Sequence, residues 1–252
     1  MKATLFGRII FGASAVLFGV IALIWHDTET WQSLRRIWTL PFGAAIGACL
    51  MVLQIACGVG IQFVRTVRLA SLILVGVYLC FSLACVPGIF AAPGVYAQYG
   101  SFFEQFSLLC GAVALMGATE ANAARAAAFA GVARIGLGFC AVSFALAQIV
   151  YLKVTAELVP KWIPPNRTFW ALATTVAFAL AAIAILSNRQ APLAMRWMTL
   201  MLALFGVLVW IPLLVAHREA HGNWSECSLT WLITGAAWMV AENAAPREKQ
   251  VL

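Results

Sequence analysis

The chain has 252 residues, of which 63% are hydrophobic and 10% charged, with a mean hydropathy of +0.94 and a formal net charge of +7. A soluble domain carries about 25% charged residues, so this chain lacks the polar side chains to cover a folded surface in water. These values exclude a soluble globular protein, a disordered chain and a disulfide-stapled secreted mini-domain, and they leave a polytopic all-α integral membrane protein.

A bilayer core of about 30 Å needs about 20 apolar residues of helix. Eight such runs occur, over 5–25, 42–63, 69–90, 102–119, 132–152, 168–186, 194–215 and 225–241. The first follows Lys2, as a signal peptide would, but it is longer than an h-region and no small-residue cleavage site follows, so it is read as retained. The second opens on Gly43-Ala44-Ala45-Ile46-Gly47, a G-x-x-x-G contact surface, and carries Gln54. The fourth has Glu104 near its start and Glu120 past its end. The fifth opens at Arg134 and carries Gln148, and the eighth runs from Glu226 to Glu242. A lone amide inside a span needs a partner, so Gln54 and Gln148 are expected to bond between helices. No alternating strand pattern competes, which argues against a β-barrel.

Eight spans put both termini on one side. Ten of the 16 Lys and Arg residues fall on that side and six on the other. The positive-inside rule then places both termini in the cytoplasm of a plasma or bacterial inner membrane. The basic excess reads as a topology signal and an attraction to anionic lipid, making membrane lipids the expected partner. It is no nucleic-acid footprint, since no basic stripe alternates with base-stacking aromatics.

The chain also repeats itself. Arg8-Ile9-Ile10-Phe11-Gly12 returns as Arg134-Ile135-Gly136-Leu137-Gly138, and Cys85-Val86-Pro87 ends the third span as Trp210-Ile211-Pro212 ends the seventh. Gly100, Glu104, Glu120 and Arg125 recur at the same spacing as Gly222, Glu226, Glu242 and Arg247. The predicted fold is therefore eight transmembrane helices in two parallel-repeat four-helix bundles, 1–125 and 126–252, joined through the Ala-rich stretch 120–131.

Arg8 and Arg134 sit at helix N-termini and Glu120 and Glu242 at C-termini, each against its own helix dipole. Pairing would relieve both penalties, so Arg8–Glu120 and Arg134–Glu242 are expected as ion pairs closing each bundle; separate snorkelling to the headgroups is the plainer alternative. Glu104 and Glu226 read either as first-turn acids at the interface or as carboxylates lining an outward-facing cavity. The histidines, His26, His217 and His221, all fall on the outer side. His217 and His221 share a face if the seventh helix continues through them, yet two visible ligands do not make a zinc site, and solvated loop histidines are the plainer reading. No metal site is assigned. Most of the seven cysteines are mid-span and act as small hydrophobes, and no C-x-x-C is present. A disulfide between Cys85 and Cys227 is the only pairing the outer face suggests.

Both long outer loops are aromatic. The first holds Trp25, Trp31, Trp38 and Leu40-Pro41; the second runs Val159-Pro160-Lys161-Trp162-Ile163-Pro164-Pro165-Asn166-Arg167-Thr168-Phe169-Trp170. Tryptophan favours the interface, so both read as segments lying on the outer leaflet, where a lipophile would enter; a simple aromatic belt is the alternative.

On these residues the chain resembles the DoxX-like family of four-span membrane proteins. Ala133-Arg134-Ile135, Val159-Pro160…Trp162…Pro164, Phe169-Trp170-Ala171, Ile211-Pro212, Asn223-Trp224 and Gly235-Ala236-Ala237-Trp238 carry the resemblance over about 110 residues of the second half. The first half looks like a diverged copy. The resemblance implies a four-helix membrane bundle and an association with membrane redox work, including thiosulfate oxidation coupled to quinone. Where family members often carry histidines, this chain holds Asn166 and Phe178, so no catalytic residue is assigned.

Two functions are expected from these readings. One is a redox-associated subunit binding quinone or a similar lipophile near the outer leaflet through Glu104, Glu226, Trp162, Asn166 and His217, with a partner protein supplying electrons because no cofactor motif is visible. The other is a non-enzymatic scaffold, or a carrier for lipid or another small apolar molecule. A channel is disfavoured, because no ring of charges and no filter-like backbone segment is visible.

Overall fold

The computed structural model describes residues 5–25 and 32–244. Those residues form eleven α-helices and one π-helical turn, with no strand among them. The helices are α1 (Leu5–Trp25), α2 (Gln32–Trp38), α3 (Gly43–Gly60), α4 (Val67–Ala91), α5 (Tyr96–Ala118), α6 (Ala123–Val150), α7 (Leu152–Leu158), α8 (Arg167–Leu186), α9 (Ala191–Phe205), α10 (Ile211–Ala216) and α11 (His221–Ala244). Seven of the described segments are long and apolar enough to cross a membrane: α1, α3, α4, α5, α6, α8 and the stretch Ala191–Ala216. The protein is an all-α integral membrane protein on that ground.

Local chemistry sets several boundaries. The link between α5 and α6 is only residues 119–122, because the Ala-rich stretch that follows is helical rather than a joint. Alanine is the strongest helix former, and Asn122 caps the helix by accepting the Arg125 backbone N–H at 3.0 Å. In the seventh apolar run the helix widens to a π turn over Gly206–Trp210, just before Pro212. Proline has no N–H to return to the preceding turn, and a π turn is one way a helix absorbs that loss.

Packing follows chain order. α1 lies on α3, α3 on α4 and α4 on α5; α6 lies on α8, α8 on α9 and α9 on α11. α5 also packs on α6, and α11 on α1. α5 and α11 also pack on each other through the middle of the molecule. Gly111 permits that approach, since a Cβ there would fall 2.5 Å from the Ala236 Cβ. α11 is buried along most of its length. Two of its hydroxyls bond back onto the helix's own backbone: Ser228 donates to Ser225 O at 3.0 Å and Thr234 to Thr230 O at 2.7 Å.

The two mid-span amides bond between helices, as expected. Gln54 Nε2 of α3 donates to Ala15 O of α1 at 2.9 Å. Gln148 of α6 meets two threonine hydroxyls of α8. The Gly43/Gly47 surface seats a helix from within the chain: a Cβ on Gly47 would fall 2.3 Å from Trp38 Nε1 of α2. All seven cysteines are free thiols, Cys85 and Cys227 included, so the suggested disulfide is absent.

Candidate functional site

Glu104, nine residues into α5, and Glu226, six residues into α11, are electrostatic neighbours. Arg36 of α2 and Cys85 of α4 belong to the same polar group. Arg36 lies against Gly88, where a Cβ would fall 2.7 Å from its Nη2.

The other three expected ligand residues stand apart from that group. Trp162 is 72% exposed. Asn166 is the N-cap of α8, its Oδ1 accepting the Phe169 N–H at 2.8 Å, which is a structural role. His217 lies beyond the end of α10, with Nδ1 3.6 Å from Glu219 Oε1. Because the helix ends at Ala216, His217 and His221 do not share a helical face. His221 instead opens α11 and stacks on Trp25 with ring centroids 4.4 Å apart. His26 lies outside the described residues.

Neither expected ion pair forms. Glu120 Oε1 accepts from Arg125 Nη2 at 3.2 Å and from the Asn122 backbone N–H at 3.1 Å, and its Oε2 lies 3.6 Å from Arg68 Nη2. The Asn122 N–H, followed by the charges of Arg125 and Arg68, holds the Glu120 carboxyl below the usual carboxylate range. The correction has a packing cause: α1 leans on α11 rather than on α5, which takes Arg8 away from Glu120. Gly7, beside Arg8, instead faces the Glu242 carboxylate and Trp238. Arg134 donates to the Ile185 carbonyl of α8, and Glu242 has Trp238 and Arg196 as its polar neighbours.

A cavity of about 540 Å³ lies elsewhere, among α6, α7, α8, α9 and the π turn. The second aromatic loop borders it through Val159, Pro160 and Ile163, and Thr155 and Leu158 of α7 form its rim. Trp170, Ala173, Thr174 and Ala177 of α8 make one wall. Leu204 of α9 and Leu208 and Trp210 of the π turn make the opposite wall. Gln148 of α6 stands at the side. Trp170 is fixed by its indole N–H, which donates to Pro164 O at 2.8 Å.

Such a volume suits a small ligand, and the mostly apolar lining suits a lipophile. The seven steps from Trp170 to Ala177 rise about 10 Å along the helix axis, so the hollow runs from the loop well down α8. None of its lining side chains is titratable. Within this mostly apolar lining, Gln148 and Thr174 form a hydrogen-bonding cluster. A smaller groove of about 390 Å³ lies between α5 and α6, where Tyr96 Oη is 2.9 Å from Ser143 O.

Gln148, Thr174 and the π turn were missed as site residues. Gln148 was visible as a lone amide and the loop as a route of entry, but nothing in the sequence marked their meeting. Comparison with known protein families, with curated proteins and with solved structures finds no match for this chain.

Proposed function

We propose that this protein binds a lipophile, quinone or hydroquinone foremost, in the cavity between α6, α8 and the π turn. One observation carries the reading: a 540 Å³ hollow, apolar over most of its wall, meets the side of the molecule with a single amide–hydroxyl cluster inside it. The aromatic loop above the hollow suits the outer leaflet if both termini are cytoplasmic, as the distribution of basic residues favours. The reading takes α11 as an eighth span and the chain as two parallel four-span repeats. The DoxX-like resemblance supports both, and with them a place beside a redox partner protein that supplies electrons.

A second reading, a carrier for lipid or another small apolar molecule, is favoured by the same apolar wall. The two separate on redox coupling, and both require the cavity to bind.

The test is titration of the protein in lipid nanodiscs with a decyl-chain benzoquinone in each oxidation state, following tryptophan fluorescence, since Trp170 and Trp210 line the hollow. Saturable quenching by at least one form, weakened at least about tenfold by Ala177→Trp, supports the proposal. Quenching that the filled cavity leaves unchanged would overturn it.

A further inference from the structure

The head group that this cavity accepts follows from counting protons around Gln148. Thr175 Oγ1 lies 2.7 Å from the Ala171 carbonyl and 3.0 Å from the amide atom of Gln148 placed as Oε1. Thr174 Oγ1 lies 2.9 Å from the Trp170 carbonyl, 3.1 Å from Ala171 O and 3.1 Å from the same amide atom. Each hydroxyl has one proton to give and two lone pairs to accept with. In each threonine the shortest contact is to a carbonyl of the preceding helical turn, the usual destination of a mid-helix Thr proton. With both protons committed there, the two hydroxyls face Gln148 as acceptors.

An amide meets two acceptors with its NH₂ group, which has two protons. Turning the side-chain amide by half a revolution exchanges oxygen for nitrogen at nearly the same positions. One arrangement places two donors against two acceptors and leaves a carbonyl oxygen open. The other places an oxygen against two oxygens and leaves two N–H groups in an apolar hollow. Unpartnered N–H groups cost more than an under-satisfied carbonyl, so the first arrangement wins. The remaining amide atom has no protein partner, and it is not among the sealed, unpartnered atoms that include Gln54 Oε1 and Gln105 Oε1.

We infer that Gln148 offers its carbonyl oxygen to the cavity, so the ligand is a lipophile whose head carries an O–H or N–H donor. A hydroquinone, a phenol or a lipid alcohol satisfies that oxygen; a quinone or an ester, which can only accept, leaves it bare. This rests on the lipophile reading and narrows it to the donor-bearing, and for a quinone the reduced, form.

The experiment uses three probes of one shape in nanodiscs of the full chain: 4-octylphenol, 4-octylanisole and 4-octylacetophenone. Affinities are expressed per mole fraction in lipid, corrected with protein-free discs. The phenol is expected to bind at least about tenfold tighter than either analogue, the scale of one buried hydrogen bond. Gln148→Leu is expected to bring the three within about twofold of one another. The double variant Thr174→Val with Thr175→Val, which removes the two acceptors and frees the amide to turn, is expected to raise the acetophenone relative to the phenol. Equal binding of all three by the unaltered chain, or a preference for the acetophenone, overturns the inference while leaving the cavity reading intact. Discrimination that survives either variant also overturns it. Binding by none of the three overturns both readings.

Discussion

α2 and α7 are both seven-residue helices, one following α1 and the other α6, and they end up in opposite places. α2 sinks into the protein: Leu34 is 1% and Ile37 5% exposed, and the helix rests on α3 and α4. α7 buries no residue, and Leu158 keeps 39% of its surface. The difference lies in the helices beneath. Gly43, Gly47 and Gly88 leave the space that Ile37, Trp38 and Arg36 occupy. α8 contains no glycine, and α7 packs on it without burying any residue, with the cavity open beside them. Under α2 the gap is plugged by the chain itself; beside α7 it stays open.

Removing the plug gives the largest expected effect. Leu34→Ala is expected to cost about 2–5 kcal/mol, the range for a buried leucine that leaves a void. Leu158→Ala at the matching place on α7 should stay within about 0.5 kcal/mol. Reversible SDS unfolding in bicelles measures both, and equal losses would erase the distinction between plug and rim. Blocking the seat comes next. Gly47→Val forces its side chain into Trp38 and is expected to destabilise by about 1–3 kcal/mol through overpacking. A neutral result in the same assay would mean that α2 does not depend on that seat.

Filling the gap from the other side sharpens the contrast. Ala177→Trp occupies the cavity, so its unfolding should shift little while lipophile binding falls at least about tenfold. A variant that loses both together would show the hollow to be a weakness of packing rather than a site.

Glu120 gives the smallest effect. Its carboxyl is held low chiefly by the Asn122 N–H, so its contribution is present above the ordinary carboxylate pKa of about 4.3 and is lost as the pH falls through its own lower value. Glu120→Gln is therefore expected to lower Tm at pH 7 by no more than about 2 °C and to flatten the acid side of the stability profile. An unchanged acid limb would remove Glu120 from that role.

The helices were legible because hydropathy and length decide what can span a bilayer. The first helix matches its apolar run end to end, while α5 and α6 begin earlier than apolar character alone suggests. Tyr96, Gln98 and Tyr99 dilute the hydropathy of α5, and the start of α6 is set by the Asn122 cap and alanine propensity. Charges were harder to place. Opposing helix dipoles made Arg8 and Glu120 look like partners, but which helix lies beside which is fixed by close contacts such as Gly111 on Ala236, and a single sequence does not show them. The recurrence of Glu104 as Glu226 was plain in the sequence, but that they are electrostatic neighbours was not, because it depends on α5 packing against α11. The cavity was legible only at its edge, through the aromatic loop, because a void is the absence of a side chain that some other residue would have supplied.

The most direct test of an open gap beside a filled one is a density map of the protein extracted with its native lipids. The account predicts elongated density between Ala177 and Leu208, its polar end within hydrogen-bonding reach of Gln148, and none between α2 and α3. A hollow closed by the inward collapse of Leu204 or Trp210, or a ligand lodged beneath α2, would contradict it.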